Sequence, residues 1–393
     1  MGWRFRFRNL DPNVFAIDQL GINSRKGLRR ISRDERYRKN RKIPTSAYYP
    51  GGKTTPAMIR DARVLQADFV PQEIVHRDPE ANHLSNALEP ITRDEPAETA
   101  FLFGPSGTGK TCLAKFIVER LRREVIDIEH QYVNCWQNYT RFRTIYRILE
   151  GIGQTLDVHR QSTPKDELLE RLRQYDGPPY VVILDEVDQL EDMDVLYDLY
   201  TLPNISMVLI ANREEELFAR TDERLSSRLM NSTRIRFDKY GNDDLIAILQ
   251  ARVDRGLTPD AIEHAQLERI ADAAAGDARV AIGILRNAAQ YAERKNADRI
   301  TTAAITEAIP DAKAEVQQKT VETLTPHQQR LYEIITKYGS ISPGELYDTY
   351  CEQVDEPKTK RTMRNYLTKM CQYNLIAADG ENRGRTYRPV SVS

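Results

Sequence analysis

Disulfide and zinc chemistry have little to work with in this chain. Its 393 residues hold 4 cysteines, Cys112, Cys135, Cys351 and Cys371, far apart, with no C-x-x-C pair and no histidine arranged beside one for zinc. That scatter excludes a Cys/His metal site and leaves reduced, structural thiols as the expectation. No apolar run approaches the ~18–20 uninterrupted residues that cross a bilayer, and residues 1–8 lack the apolar core of a secretory signal. A cytoplasmic protein with no membrane partner is therefore expected. No segment repeats at a fixed period. An excess of charge is also missing, since the net charge is −1. The balance conceals an asymmetry: residues 1–60 carry 15 Lys and Arg against 4 Asp and Glu, a local +11 that leaves −12 for the rest. That basic extension, punctuated by Pro44, Pro50, Gly51, Gly52 and Pro56, reads either as an arm docking on an anionic polymer or as a solubilising tail.

What is present is a globular composition, 40% apolar, at a length that calls for two or three domains. Within residues 61–238, the segments 99–103, 131–134, 180–184, 206–211 and 233–237 read as strands separated by amphipathic helices. This is the pattern of an α/β fold with a parallel sheet and crossover helices. From 239 to 312 the strands vanish, and 243–255, 259–274, 278–294 and 302–307 read as helices broken at Gly256, Gly276 and Pro310. A polar linker over 311–325 then leads to a third domain, 325–393.

The chemistry is concentrated after the first strand. Gly104, Pro105, Ser106, Gly107, Thr108, Gly109, Lys110 and Thr111 spell G-x-x-x-x-G-K-[ST] between the apolar run AFLF and an amphipathic helix. Such a loop turns backbone N–H groups onto phosphate oxygens at a helix N-terminus, Lys110 reaches the β and γ phosphates, and Thr111 offers its hydroxyl to Mg²⁺. ATP or ADP with Mg²⁺ is the expected ligand. The apolar strand YVVIL ends in Asp185 and Glu186, whose side chains strand alternation would point differently, Asp185 toward Mg²⁺ through water and Glu186 toward the γ-phosphate and an attacking water. A third apolar strand ends at Asn212, an amide suited to orienting that water. Arg224 and Arg228, four apart in ERLSSRL, would share a helix face from which either could reach a phosphate across a subunit interface. Arg279 stands in a helix's first turn behind the natural N-cap Asp277, where a cation opposes the macrodipole and so calls for an anionic partner.

Residues 325–393 read as helices over 326–338, 343–350 and 359–373, then strands over 375–378 and 385–392. In the third helix Met363, Tyr366, Leu367 and Met370 form one stripe, while Lys360, Arg361 and Arg364 fall opposite. With Arg383, Arg385 and Arg388 in the hairpin, the layout is that of a winged helix, which binds duplex DNA through its third helix and wing or serves as a protein contact.

Together these motifs make the chain resemble the archaeal replication initiators related to the eukaryotic origin recognition complex and its cell-division-cycle partner, AAA+ ATPases with a C-terminal winged helix. The resemblance covers roughly residues 64–393 and includes DFVPQEIVHRD at 68–78, GPSGTGKT, VVILDEVDQL, the IAN ending at Asn212, and GDARVAIGILRNA. It implies Lys110 and Thr111 as Walker A, Asp185 and Glu186 as Walker B, Asn212 as sensor 1, Arg279 as sensor 2, and Arg228, with Arg224 the alternative, as arginine finger. It further implies a DNA-touching insertion somewhere in 139–147, and slow ATP hydrolysis used as a switch. The implied partners are double-stranded origin DNA, the MCM helicase and other initiator subunits, in a nucleoid-associated protein. The basic extension is longer than the family's N-terminal segment, and no role transfers to it. A nucleotide-responsive transcriptional regulator or a clamp-loader-like remodelling ATPase are the rival readings.

Overall fold

The computed structural model describes residues 57–393 apart from 94, 126, 156–157, 159–163, 381–383 and 391–393. Most of the basic extension, residues 1–56, lies outside the described residues. Its last residues, 57–60, are not a free tail: Met58 is buried in the helical core, Ile59 bridges Leu257, and the Arg60 N–H donates to the Gly256 carbonyl at 2.8 Å.

A first helix, α1 (Asp78–Leu88), precedes β1 (Ala100–Phe103), α2 (Lys110–Glu124), β2 (Glu129–Asn134), α3 (Arg141–Gly151), α4 (Lys165–Arg173), β3 (Tyr180–Asp185), α5 (Asp194–Tyr200), β4 (Ile205–Ala211), α6 (Glu214–Phe218), α7 (Glu223–Met230) and β5 (Thr233–Arg236). The five strands form one parallel sheet in the order β2-β3-β4-β1-β5. Every residue of β3 and β4 is buried, which is why both read as unbroken apolar runs rather than alternating ones. Parallel strands put all their C-terminal tips on one edge, where ligands of open α/β sheets bind. The register pairs Phe103 with Ala211 and Asp185 with Ile210, so Gly104, Asn212 and Glu186, the next residues on three neighbouring strands, emerge side by side.

Four helices follow: α8 (Asn242–Gly256), α9 (His264–Ala274), α10 (Ala278–Arg294) and α11 (Thr302–Thr323). Here the structure departs from the sequence reading, because α11 runs through Pro310 to Thr323 where a break and a polar linker are expected. Proline inside a helix removes one backbone bond and costs about 3 kcal/mol. Burial of Ile305, Ala308 and Ala312 against α10 offsets that loss. The two helices meet so closely that a Cβ on Gly283 would lie 3.3 Å from that of Ala312.

The chain ends in a winged helix: α12 (Pro326–Tyr338), α13 (Pro343–Gln353), α14 (Lys360–Gln372) and the antiparallel pair β6 (Ile376–Asp379) and β7 (Thr386–Pro389), with Ile341 bridging Tyr387. Capping boxes at Thr325 and Ser342, each followed by proline, start its first two helices. Its core of Leu331, Ile335, Leu346, Tyr350, Leu367 and Met370 also takes in Trp136, from the turn after β2. That tryptophan is 2% exposed and donates its indole N–H to Gln328 at 3.0 Å. Burying a side chain of this size is worth on the order of 4–6 kcal/mol, so Trp136 is a main anchor of the winged helix on the sheet domain.

Candidate active site

The phosphate loop joins β1 to α2. Gly104 has φ 147°, and a Cβ there would fall 2.1 Å from the Phe237 carbonyl oxygen. Gly107, at φ 79°, lies so close under the Asp277 carboxyl that a Cβ would sit 2.1 Å from its Cγ, and the Ala278 N–H donates to the Gly107 carbonyl at 3.1 Å. The loop is thus pressed between the sheet and the start of α10, with no room for a side chain at either glycine. The Lys110 ammonium donates to the carbonyls of Gly104 at 2.6 Å and Pro105 at 2.7 Å, with the Asn212 side-chain oxygen 3.4 Å away. Burial pushes Lys110 down to about 8 against the pull of Asp185 and Glu186. Phosphate oxygens beside it would favour the charged form again.

Asp185 closes β3. Its Oδ2 accepts from the Thr111 hydroxyl at 2.8 Å and from the Tyr132 hydroxyl at 2.9 Å. Burial raises its pKa, opposed by those two hydrogen bonds and by the Lys110 charge. Glu186 is aimed differently from the sequence expectation. It is not a further strand residue with alternating orientation but stands in the left-handed region, φ 57° and ψ 48°, at the start of a short 3₁₀ turn. A non-glycine residue in that region is uncommon and stores modest strain, a frequent mark of functional sites. Burial, then the Asp185 and Asp188 charges, push the Glu186 carboxyl up to about 8.

Lys110, Thr111, Asp185, Glu186, Asn212 and Arg279 line one cavity of about 210 Å³. Its other lobe is apolar, lined by Pro71, Ile74, Val75, Tyr240, Ile248 and Ile282, the shape and polarity suited to a purine base beside its phosphates. Arg77, buried 4.2 Å over the Tyr240 ring and 5.2 Å over Phe237, braces that lobe and donates to the Asp238 carbonyl at 2.7 Å. Arg252 pins the segment before α1 by donating to the Gln66 and Phe69 carbonyls, each at 3.1 Å. Arg279 does have an anionic partner, and it is its own cap: Asp277 pairs with the guanidinium at 3.0 Å while accepting the Arg279 N–H at 2.8 Å. The dipole penalty inferred from sequence is therefore met locally.

Arg224 and Arg228 sit on one face of α7, 5.1 and 4.8 Å over the same Tyr197 ring. Neither lines the cavity of their own chain. Arg224 is paired with Asp222 at 2.8 Å, while Arg228 lies 5.4 Å over the exposed Tyr200 ring and Met230, two residues on, is exposed. Residues 139–147 comprise Tyr139, the cap Thr140 and the first residues of α3, with Ile145 in the sheet core and Arg147 paired with Glu150.

In the winged helix Lys360, Arg361 and Arg364 are exposed on α14, Lys360 lying 4.9 Å over Tyr347. Arg385 is exposed, Arg388 pairs with Asp379 across the hairpin, and Arg383 lies outside the described residues. The far end of α14 has a different environment. Lys369 donates to the Gln189 side chain at 2.9 Å and to the Asp188 carbonyl, and Gln372 donates to Glu216. Tyr373, just past the helix, touches two of the groups that line the cavity: its hydroxyl donates to Glu186 Oε2 at 2.9 Å and accepts from Asn212 Nδ2 at 2.7 Å. The sequence offered no sign of this contact, nor of Tyr132, Tyr240 or Arg252, and it singled out Arg77 only as part of the 68–78 segment, with no role. Among the described residues no cluster of three or more His, Cys, Asp or Glu is placed to hold a metal, and no helix is long and apolar enough to cross a membrane.

Residues 93–218 match the AAA domain and residues 246–310 the Cdc6 AAA+ ATPase-type lid domain. The ORC1-type DNA replication protein 9 of Halobacterium salinarum is 58% identical over 330 residues, covering 84% of this chain and 93% of that protein. The chain belongs to the ORC1-type DNA replication protein family. It is accordingly an AAA+ ATPase that binds ATP and ADP, with the α/β P-loop sheet, helical lid and C-terminal winged helix described above, and its function is DNA replication initiation. More distant family members include the ORC1-type DNA replication protein 2 of Thermoplasma acidophilum, 28% identical over 372 residues, covering 88% of this chain and 90% of that one. Among solved structures, the Aeropyrum pernix ORC1 protein in complex with DNA superposes with a TM-score of 0.68 at 25% identity, covering 86% of this chain and 94% of that one. The A. pernix ORC2 protein, solved as ADPNP–ADP complexes, shares the fold with a TM-score of 0.57 at 21% identity, covering 85% of this chain and 94% of that one.

Proposed function

We propose that this family member binds duplex origin DNA through its winged helix and sheet domain and helps recruit or load the MCM helicase, with ATP binding and slow hydrolysis as the switch. The observation that carries the reading is α14, which presents Lys360, Arg361 and Arg364 to solvent while its other end contacts the turn holding Glu186. One helix thereby joins a basic surface suited to phosphates and base edges to the nucleotide site. The exposed Arg385 of the wing adds a phosphate contact, and the DNA complex of the A. pernix ORC1 protein supports the same use. Helix α3, in place of a separate insertion, is the second candidate contact.

In this reading the N–H groups of Gly104, Ser106, Gly107, Thr108 and Gly109 cradle the phosphates, Pro105 shapes the loop without donating, and Lys110 neutralises them. Mg²⁺ fits the Thr111 and Asp185 pair, two hard oxygen donors 2.8 Å apart, since this ion keeps several waters and takes few protein ligands. When bound it would neutralise charge on the β and γ phosphates. Glu186 polarises the attacking water, Asn212 orients it, and Arg279 turns from Asp277 to the γ-phosphate. Arg228 serves a neighbouring initiator subunit, with Tyr200 and Met230 as part of that contact. Because a finger supplied in trans contributes about 10³–10⁵ in rate, an isolated subunit hydrolyses slowly. A nucleoid location follows from DNA binding. Mapping the protein's positions on its own genome tests the proposal: occupancy at a few replication start points, with MCM loss on depletion, is expected. Occupancy of promoters with altered transcription and unaffected MCM loading would overturn it.

A further inference from the structure

The Tyr373 hydroxyl stands between Glu186 and Asn212, donating to one and accepting from the other. These are the two groups that, in the function proposed above, must hold the water that attacks ATP. A phenol has one proton to give and can accept in return, as a water bound there would. It cannot attack, because its ring is fixed 4.4 Å from the buried Trp136 ring and its backbone follows α14. We infer that Tyr373 is a positioning residue through which the docked winged helix holds hydrolysis in check, its hydroxyl standing in for the lytic water on Glu186 and Asn212.

Three further features fit this role. Asn212 directs its carbonyl oxygen toward Lys110 and its amide nitrogen toward Tyr373, so both ends of the amide are engaged while the winged helix is seated. Lys369 and Gln372, one turn and one residue before Tyr373, tie the end of α14 to the turn after β3 and to α6. A second cavity of about 160 Å³, lined by Glu186, Arg279, Tyr373 and α11 residues including Glu315 and Lys319, opens beside Tyr373. The tyrosine can therefore leave Glu186 by a small movement of α14, without unpacking the sheet domain. Release of that end admits water to the two groups; seating excludes it.

The inference rests on the roles given to Glu186 and Asn212, and the experiment separates the two. Single-turnover hydrolysis at saturating ATP is measured on the full chain for the natural protein, Tyr373→Phe, Gln372→Ala and Glu186→Gln, with ATP affinity measured alongside. Tyr373→Phe keeps the ring on Trp136 and loses only the hydroxyl. We expect hydrolysis to rise about tenfold, the loss of roughly 1.4 kcal/mol of barrier, with ATP affinity within about twofold. Gln372→Ala, which loosens the docked end, should raise the rate by about threefold, a smaller effect in the same direction. A mere packing role for Tyr373 would alter affinity or stability rather than accelerate the chemical step. Unchanged or slower hydrolysis by Tyr373→Phe, beside the expected loss in Glu186→Gln, overturns the check alone. Undiminished hydrolysis by Glu186→Gln overturns the underlying assignment and the check with it.

Discussion

The two walls of the nucleotide cavity are made in different ways. The near wall, Ser106 to Thr111 with Asp185, Glu186 and Asn212, consists of the loops at three adjacent strand tips, brought together by sheet register. The far wall comes from residues more than a hundred positions along the chain from the phosphate loop: Tyr240 and Arg279 line the cavity, Asp277 backs Arg279, and Tyr373 of the winged helix touches Glu186 and Asn212 from beside it. The near wall supplies the grip on phosphate from strand-tip loops, though the lid touches it at Gly107 and the winged helix at Glu186 and Asn212. The far wall depends on domain posture, which makes it the part through which nucleotide and the rest of the protein can sense each other.

The largest effect that would break this division comes from the near wall. Lys110→Ala should weaken ATP binding by about 100-fold or more, the loss of charge-assisted hydrogen bonds to phosphate. Equilibrium titration with a fluorescent ATP analogue checks it, and near-normal affinity would remove Lys110 from the grip. On the far wall, Tyr240→Ala should cost roughly tenfold in ATP affinity and less in affinity for inorganic tripolyphosphate, because the Tyr240 ring lines the apolar part of the cavity while only its hydroxyl packs over Gly109. Equal losses for both ligands would merge the two walls. Tyr132→Phe deletes one of two hydrogen bonds holding Asp185. It should raise the Mg²⁺ concentration for half-maximal hydrolysis by about fivefold, in keeping with a net hydrogen bond of ~1 kcal/mol. No shift would show that Thr111 alone orients that carboxylate. The smallest effect belongs to the wing: Arg385→Ala should flatten the slope of log affinity for duplex DNA against log salt by about 0.9, one phosphate contact. An unchanged slope would place the wing away from DNA.

The near wall was readable in advance because its residues are contiguous and each acts through local geometry. The buried strands were readable too, as apolar runs ending where parallel tips must converge. What escaped the sequence was set by long-range packing. Pro310 reads as a helix stop, yet Ala308 and Ala312 are buried against α10 around Gly283 and the helix continues. Glu186 takes its aim from one left-handed residue that no strand pattern reveals. Trp136, three residues before the stretch 139–147 read as a place for a DNA-touching insertion and itself given no role, proves to be the seat of the winged helix. Tyr373 looks in sequence like any aromatic at a helix end, and only the docking of α14 carries it to Glu186.

Helix α11 gives this arrangement a mechanical scale. Its 22 residues form a rod roughly 33 Å long, rooted in the lid at Ala304 and Ile305 and meeting the winged-helix core at Leu324, next to the cap of α12. With no slack between its ends, a tilt of ten degrees at the lid would carry the far tip about 6 Å, several times the tolerance of the 2.9 Å contact between Tyr373 and Glu186. The contact would thus act as a vernier on the lid, registering rotations too slight to disturb either domain's own packing.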